Sequence, residues 1–196
     1  VGRWLALLEG WPPGLPLFNP PPLMRWNTRK TYLAELEAAG VPTVPTRFNA
    51  EPAAAFDLFG VDELIVKPQV SASSDGIRRL KRGDSLPLLG EAMIQPFLPS
   101  VQTEGEYALF HIGGGLSHAI RKVPAGGEFR VQPQFGGANL RWQPDAEARA
   151  VVAVALAAAP AEPLYARIDL LRRLAVAEFE AIEPDLYYAY GETVLD

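Results

Sequence analysis

Between Leu164 and Ile182 the chain alternates in a way that admits few folds. Leu164–Leu171 and Leu174–Ile182 are strand-like runs separated only by Arg172-Arg173, which reads as an antiparallel pair. Side chains at i and i+2 of a strand share a face. With Arg172-Arg173 as a two-residue turn, Leu171 faces Leu174 and Asp169 faces Val176. On that register Asp169, Glu178 and Glu180 lie on one face, and Ile168, Leu170, Ala175, Ala177 and Phe179 lie on the other. The second face is apolar and must be buried, so the pair belongs to a larger sheet with one covered side. The first face carries three carboxylates, with Asp169 diagonal to Glu178 at about 7–8 Å between backbones. Like charges placed this way repel. Two readings are open on this pattern alone. One is a solvated sheet face on which Arg167 neutralises Glu178. The other is a shelf for a divalent cation, and oxygen ligands without His or Cys suit Mg²⁺ or Mn²⁺.

The rest of the chain can build the sheet this pair needs. Its 196 residues are 48% hydrophobic, enough for one large domain or two small ones with a real core. The net charge of −5 speaks against a general nucleic-acid binder. Absence of cysteine excludes a disulfide scaffold and thiolate metal sites and is compatible with a cytoplasmic location. The longest apolar run, Ala150–Ala159, is too short to span a membrane. Val1–Trp11 does not resemble a signal peptide. Trp4-Leu-Ala-Leu-Leu reads as the tail of a helix, so the chain is expected to be part of a longer protein.

Six prolines between residues 11 and 22 predict a linker and the best boundary. Asn27 is expected to cap a helix that runs to Ala39, buries Tyr32, Leu33 and Leu36, and stops at Gly40. A short helix from Pro52 to Gly60 follows. Glu63–Lys67 is a strand ended by Pro68, Val70–Gly76 is a loop of small residues, Ile77–Lys81 is a return strand, and Ala92–Gln95 is another strand. Tyr107–Ile112 and Leu116–Val123 flank three glycines as a hairpin. Ala125–Gly137 reads as a loop, and Asp145 caps a helix over Ala146–Ala159.

Three basic groups precede the carboxylates. Arg25, Arg29 and Lys30 sit at the start of the first long helix, where cations oppose the helix dipole. Lys67 ends an apolar strand just before the Ser/Ala/Gly loop that holds Ser71 and Ser73. Backbone N–H groups of such a loop can approach phosphate oxygens, although the loop lacks a Gly-Lys-Ser/Thr signature. Arg121, Lys122 and Arg130 form the third group, and Glu106 is placed to pair with Lys122 across the hairpin. The first group taken alone reads as solvated side chains, Lys67 is the more telling, and the third reads equally as a salt-bridged surface ribbon or an anion site. His111 and His118 are too isolated for a metal site, and Ser117 has no triad partners.

The order of these motifs resembles the ATP-grasp superfamily, close to bacterial glutathione synthetase and to cyclo-ligase-like proteins of the cycloserine pathway. The carrying residues are Ile65-Val-Lys67-Pro68 with Ser71–Gly76, Ile94–Pro99, Ala119–Pro124, Gly127–Gln132, Gly136-Gly137, Arg167-Ile-Asp169 and Glu178-Phe-Glu180. The resemblance implies an α+β, ATP-grasp fold in which two α+β subdomains sandwich the nucleotide, with the N-terminal substrate domain largely absent. Residues 1–22 would be a remnant and linker, 23–97 the small lid subdomain and 98–196 the large subdomain. It implies that Lys30, Lys67, Ser71 and Ser73 contact ATP phosphates and that Gln95, Pro96, Phe97 and Leu98 form the hinge against adenine. Asp169, Glu178 and Glu180 would hold the metal, while Lys122 and Arg130 would hold the carboxylate and the transferring phosphoryl group. The implied activity is ATP- and Mg²⁺-dependent joining of a carboxylate and an amine, through an acyl phosphate, on an amino acid or peptide-like substrate. A non-catalytic ATP-binding sensor is the alternative. Small-molecule substrates are the implied partners, with no nucleic acid and no membrane, and a homo-oligomer is left open. The sequence departs from the glutathione synthetase pattern at Glu180, where Asn is expected, at Gln132, and at Ile182-Glu183-Pro184, which replaces a small-residue run.

Overall fold

A computed structural model describes residues 1–71, 74–84, 90–172 and 174–191. In chain order these form α1 (Gly2–Glu9), α2 (Pro21–Asn27), α3 (Tyr32–Ala38), β1 (Arg47–Phe48), α4 (Pro52–Phe59), β2 (Glu63–Pro68), β3 (Arg78–Lys81) and β4 (Ala92–Pro96). They continue with α5 (Ser100–Thr103), β5 (Glu106–Ile112), β6 (Gly115–Val123), β7 (Ala138–Arg141), α6 (Ala146–Ala157), β8 (Tyr165–Leu171) and β9 (Ala175–Glu180). The strands make two antiparallel sheets, β1-β4-β2-β3 and β7-β6-β5-β8-β9. Among the described residues no helix is long and apolar enough to cross a membrane.

Each sheet uses its period-two pattern to present one face to a core and the other to a shared cavity. In the smaller sheet Leu64 and Val66 of β2 join Ala55 and Phe56 of α4, while Ile65 and Lys67 point the other way and line the cavity. The larger sheet sends Leu109, Ile168, Leu170, Val176 and Phe179 into the main core, where Leu23, Tyr32, Leu33 and Leu36 of α2 and α3 meet them. Helices α2 and α3, grouped by sequence with residues 23–97, thus pack beneath the larger sheet.

Two expectations about the first helix are corrected. Pro21 and Pro22 belong to the first turn of α2 rather than to a linker, a position where a missing N–H costs nothing. Asn27 does not cap one long helix; it ends α2, and a turn separates it from α3. Its side chain instead grips the outer edge of β9, donating to Phe179 O at 2.6 Å and accepting from Ala181 N at 2.8 Å. Tyr32 Oη accepts from Phe179 N at 3.0 Å. Further along the same edge, Val176 N donates to Pro42 O and Val44 N to Val176 O. An open strand edge with orphan polar groups is thereby closed by side chains and an extended segment. Asn19 pins the neighbouring ends, donating to Tyr165 O and Ala181 O.

Candidate active site

β8 and β9 pair differently from the register expected with a two-residue turn. Leu171 faces Ala175, and an irregularity between Asp169 and Leu170 brings Asp169 directly opposite Glu178 and Arg167 opposite Glu180. The turn is longer than two residues, with Arg172 at φ +51°; Arg173 lies outside the described residues. The extra residue on β9 exchanges two side chains between faces: Val176 enters the core, and Ala175 moves to the carboxylate side opposite Leu171. The bulge adds a second one-residue shift before Glu178, and because the two together are an even number the three carboxylates still share a face. Ligand oxygens of Asp169, Glu178 and Glu180 lie within 4.8 Å of one another, close enough for one divalent ion to touch all three.

Three cations pair with this cluster. Lys122 on β6, opposite Glu106 on β5, places Nζ 2.8 Å from Glu106 Oε1 and 3.1 Å from both Asp169 oxygens, as the hairpin register anticipated for Glu106. Arg167 donates from Nε and Nη2 to Asp169 and from Nη2 to Glu180. It pairs with Glu180 rather than Glu178, because the longer turn and the bulge together move its cross-strand partner by two residues. Glu178 instead meets Lys30 at 2.8 Å. The close approach of the α5–β5 turn to Lys122 requires Gly105, at φ +84°, where a Cβ would lie 2.2 Å from Lys122 O.

Charge state follows from these neighbours. Burial opposes ionisation of Asp169, but Arg167 and Lys122 outweigh it and hold the carboxyl below its ordinary range. Burial likewise opposes Glu178, and Lys30 with Lys67 prevails. Burial, with repulsion from Glu178 and Asp169, pushes Glu180 up to about 8 despite Arg167. Burial lowers Lys67, whose side chain makes no hydrogen bond or ion pair with any other described residue and faces the cavity. Cavity-facing and unpartnered, it is the cation most available to an anion.

The cavity holds about 930 Å³ between the two sheets. All the site residues expected from sequence that are described line it, and Ser73 lies outside the described residues. Besides meeting Glu178, Lys30 Nζ donates to Ser71 O at 2.9 Å, linking the small-residue loop to the carboxylates. Arg25 and Arg29 pair with Glu9 and Glu91 and do not reach the cavity. Arg130 lines it with its guanidinium 3.7 Å from the Phe135 ring centroid and Nη2 2.6 Å from Glu128. At the hinge Gln95 Nε2 donates to Thr46 Oγ1 and Phe97 N to Glu63 O, while the N–H of Leu98 makes no backbone hydrogen bond among the described residues. Phe97 packs with Val101 and Val131, with Ile65 and Leu171 against them, joining the two sheets at the cavity floor.

The chain is 34% identical over 208 residues to the cycloserine biosynthesis protein DcsG of Streptomyces lavendulae, covering 90% of this chain and 69% of that protein. The chain belongs to the DcsG family of ATP-grasp ligases. It is an ATP-dependent ligase of the type that joins a carboxylate to an amine. The crystal structure of the D-cycloserine synthetase DcsG superposes with a TM-score of 0.79 at 29% identity, over 97% of this chain and 74% of that one. Two more distant structures share the fold. They are the ATP-grasp ligase PsnB complexed with a phosphomimetic variant of its minimal precursor, Mg and ADP (TM-score 0.67, 19% identity, 96% and 60% coverage) and the D-alanine–D-alanine ligase of Bacillus anthracis (TM-score 0.67, 17% identity, 96% and 66% coverage). No family model matches the chain.

Sequence reasoning for this ATP-grasp chain missed two kinds of residue. Only the solvated-face reading gives Arg167 a partner, Glu178, whereas it grips Asp169 and Glu180. The segment after β9 was read only as a departure, yet Glu183, Asp185 and Tyr187 form a cavity wall. That segment is tied across the sheet by Arg167 Nη1 to Asp185 O at 3.2 Å and His118 Nε2 to Leu186 O at 2.9 Å. Its Leu186, Tyr187 and Tyr190 pack on Ala108, Phe110 and Ile120. The signal available was the group Leu186, Tyr187 and Tyr190, which needs a surface to cover.

Proposed function

We propose that the chain carries the ATP and Mg²⁺ site of a ligase that activates a small amino-acid or peptide-like carboxylate as an acyl phosphate and lets an amine displace phosphate. The observation that carries this reading is the convergence of Asp169, Glu178 and Glu180 within 4.8 Å at the wall of a cavity that Lys30, Lys67 and Lys122 also line. An oxygen-only ligand set suits Mg²⁺, and the Lys and Arg side chains that line the same cavity suit a polyphosphate.

In this reading the Leu98 N–H and the hinge backbone meet the adenine edge. Lys67 and Lys30 hold phosphate oxygens beneath the loop that carries Ser71 and Ser73. Asp169, Glu178 and Glu180 hold the divalent ion, which, when bound, draws negative charge off the phosphoryl oxygens. Lys122 and Arg130 orient the substrate carboxylate, so that one of its oxygens takes the γ-phosphoryl group and ADP leaves. The amine then attacks the acyl carbon, phosphate departs with the bonding pair, and the amine loses a proton. No protein nucleophile is required; positioning and neutralisation of phosphoryl charge are the protein's contribution.

The test is phosphate and ADP release from Mg·ATP with a panel of amino acids and their amine-bearing derivatives, using the full-length protein. Glu178→Gln keeps the side-chain volume and removes the ligand charge, and it is expected to lose turnover. Full turnover in that variant sinks the metal assignment. Nucleotide binding with no ADP formed across the panel sinks the enzymatic reading in favour of a binding module.

A further inference from the structure

Asp169 has more donors than a metal ligand can keep. A carboxylate offers about four lone-pair positions. Asp169 Oδ1 accepts from Lys122 Nζ at 3.1 Å and Arg167 Nε at 3.0 Å; Oδ2 accepts from Lys122 Nζ at 3.1 Å, Arg167 Nε at 3.1 Å and Arg167 Nη2 at 3.0 Å. Three cationic nitrogens from two side chains therefore share both of its oxygens. A divalent ion that takes an oxygen of Asp169 has to displace one of them.

Tethering decides which cation yields. Arg167 is held by Asp169, by Glu180 and by the Asp185 carbonyl, and it keeps two of these if one is disturbed. Its planar fork matches the carboxylates in a fixed geometry. Among the described residues the Lys122 ammonium has only Glu106 and Asp169 as partners. Its ammonium sits on a flexible four-carbon stem and borders the cavity. Two cations brought to the same carboxylate in a buried setting repel strongly, since the interior screens charge far less than water. Rotation of the lysine stem relieves that repulsion without disturbing the backbone.

We propose that Lys122 is an internal stand-in for the divalent ion: it occupies Asp169 when the metal is absent, and metal binding drives its ammonium off Asp169 into the cavity. This rests on the metal site given under Proposed function and adds a competition to it. The ammonium that serves the phosphoryl group is then released only when the metal is loaded, so neither charge acts without the other.

The competition has a sign that a purely phosphate-gripping lysine lacks. Removing Lys122 should tighten metal binding. Mn²⁺ is titrated into the nucleotide-free protein and free Mn²⁺ is read by electron paramagnetic resonance, for the wild type and for Lys122→Gln. The variant is expected to bind on the order of tenfold more tightly, within the usual range for two coupled binding events. Equal or weaker binding by the variant overturns the proposal. If wild type and variant both fail to bind Mn²⁺, the metal site itself falls and the competition falls with it, an outcome distinct from the first. Should Lys122→Gln not fold, lysine ammonium signals of the ¹⁵N-labelled wild type decide the matter. The buried Lys122 signal, protected from exchange in metal-free protein, should be lost to fast exchange when Mg²⁺ is added. A Lys122 signal unchanged at saturating Mg²⁺ overturns the proposal.

Discussion

Replacing Asn27 by alanine tests the link between an edge-strand pin and the carboxylate shelf. Asn27 touches none of the carboxylates. Its two backbone partners flank Glu180, with Phe179 O at 2.6 Å and Ala181 N at 2.8 Å from its amide. In Asn27→Ala the Ala181 N–H, in a fully buried residue, loses its acceptor at a cost of about 1–3 kcal/mol. The lost bond to Phe179 O adds about 1 kcal/mol, for a total of about 2–4 kcal/mol. For a domain of this size each kcal/mol lowers the melting temperature by about 2–4 °C, so a fall of roughly 5–15 °C is expected. The functional consequence follows from position. Phe179 lies between Glu178 and Glu180, so a strand edge freed there lets both carboxylates wander. Loss of a residue that orients metal ligands commonly weakens metal binding by about 10–100-fold. The assay is a thermal melt and a Mn²⁺ titration on the same preparations. A melting temperature within about a degree of wild type, or an unchanged Mn²⁺ affinity, refutes the argument that the side-chain pins on β9 set the geometry of the shelf.

Two further outcomes follow from the charges. Lys67→Met should stabilise the nucleotide-free protein, because a desolvated ammonium without a partner is replaced by an apolar chain of similar shape, while ATP affinity falls by about 10–100-fold through loss of a charge-assisted hydrogen bond; calorimetric binding and a thermal melt read the two opposite effects, and a variant that binds ATP like wild type removes Lys67 from the phosphate site. Burial lowers the His118 imidazole below its ordinary value of 6.5 despite its hydrogen bond to Leu186 O. The unfolded chain therefore binds the proton more readily than the fold. The stability contributed by neutral His118 is present above pH 6.5 and is lost as pH falls through the folded value. Proteolysis after Leu186 should accelerate on acidification across that window and lose this dependence in His118→Gln; an unchanged pH profile in the variant refutes the role of His118 in holding the segment.

How much of this was legible beforehand differs from residue to residue. The alternation in Glu178-Phe-Glu180 and Arg167-Ile-Asp169 fixes which side chains share a face on each strand, because the β-strand period is set by backbone geometry. The same local rule sends Lys67 away from Leu64 and Val66 into the cavity. The capping of α6 by Asp145, which accepts from Ala148 N at 2.9 Å, is local as well. Pairing across strands is not local. The turn around Arg172 and the bulge before Glu178 shift the register in two places, and nothing in the alternation of either strand marks them.

By itself, then, the sequence determined the strand faces, the supply of oxygen ligands and cations, and the order of motifs that marks an ATP-grasp chain. Only tertiary structure decided which cation meets which carboxylate. Lys30 reaches Glu178 and Lys122 reaches Asp169 across long stretches of chain, through sheet register and helix packing that no local pattern encodes. Asn27 shows the same division: a residue type suited to a helix cap became a pin for β9 because that edge carried buried, unpaired backbone groups, and the free energy of satisfying them exceeds that of a cap.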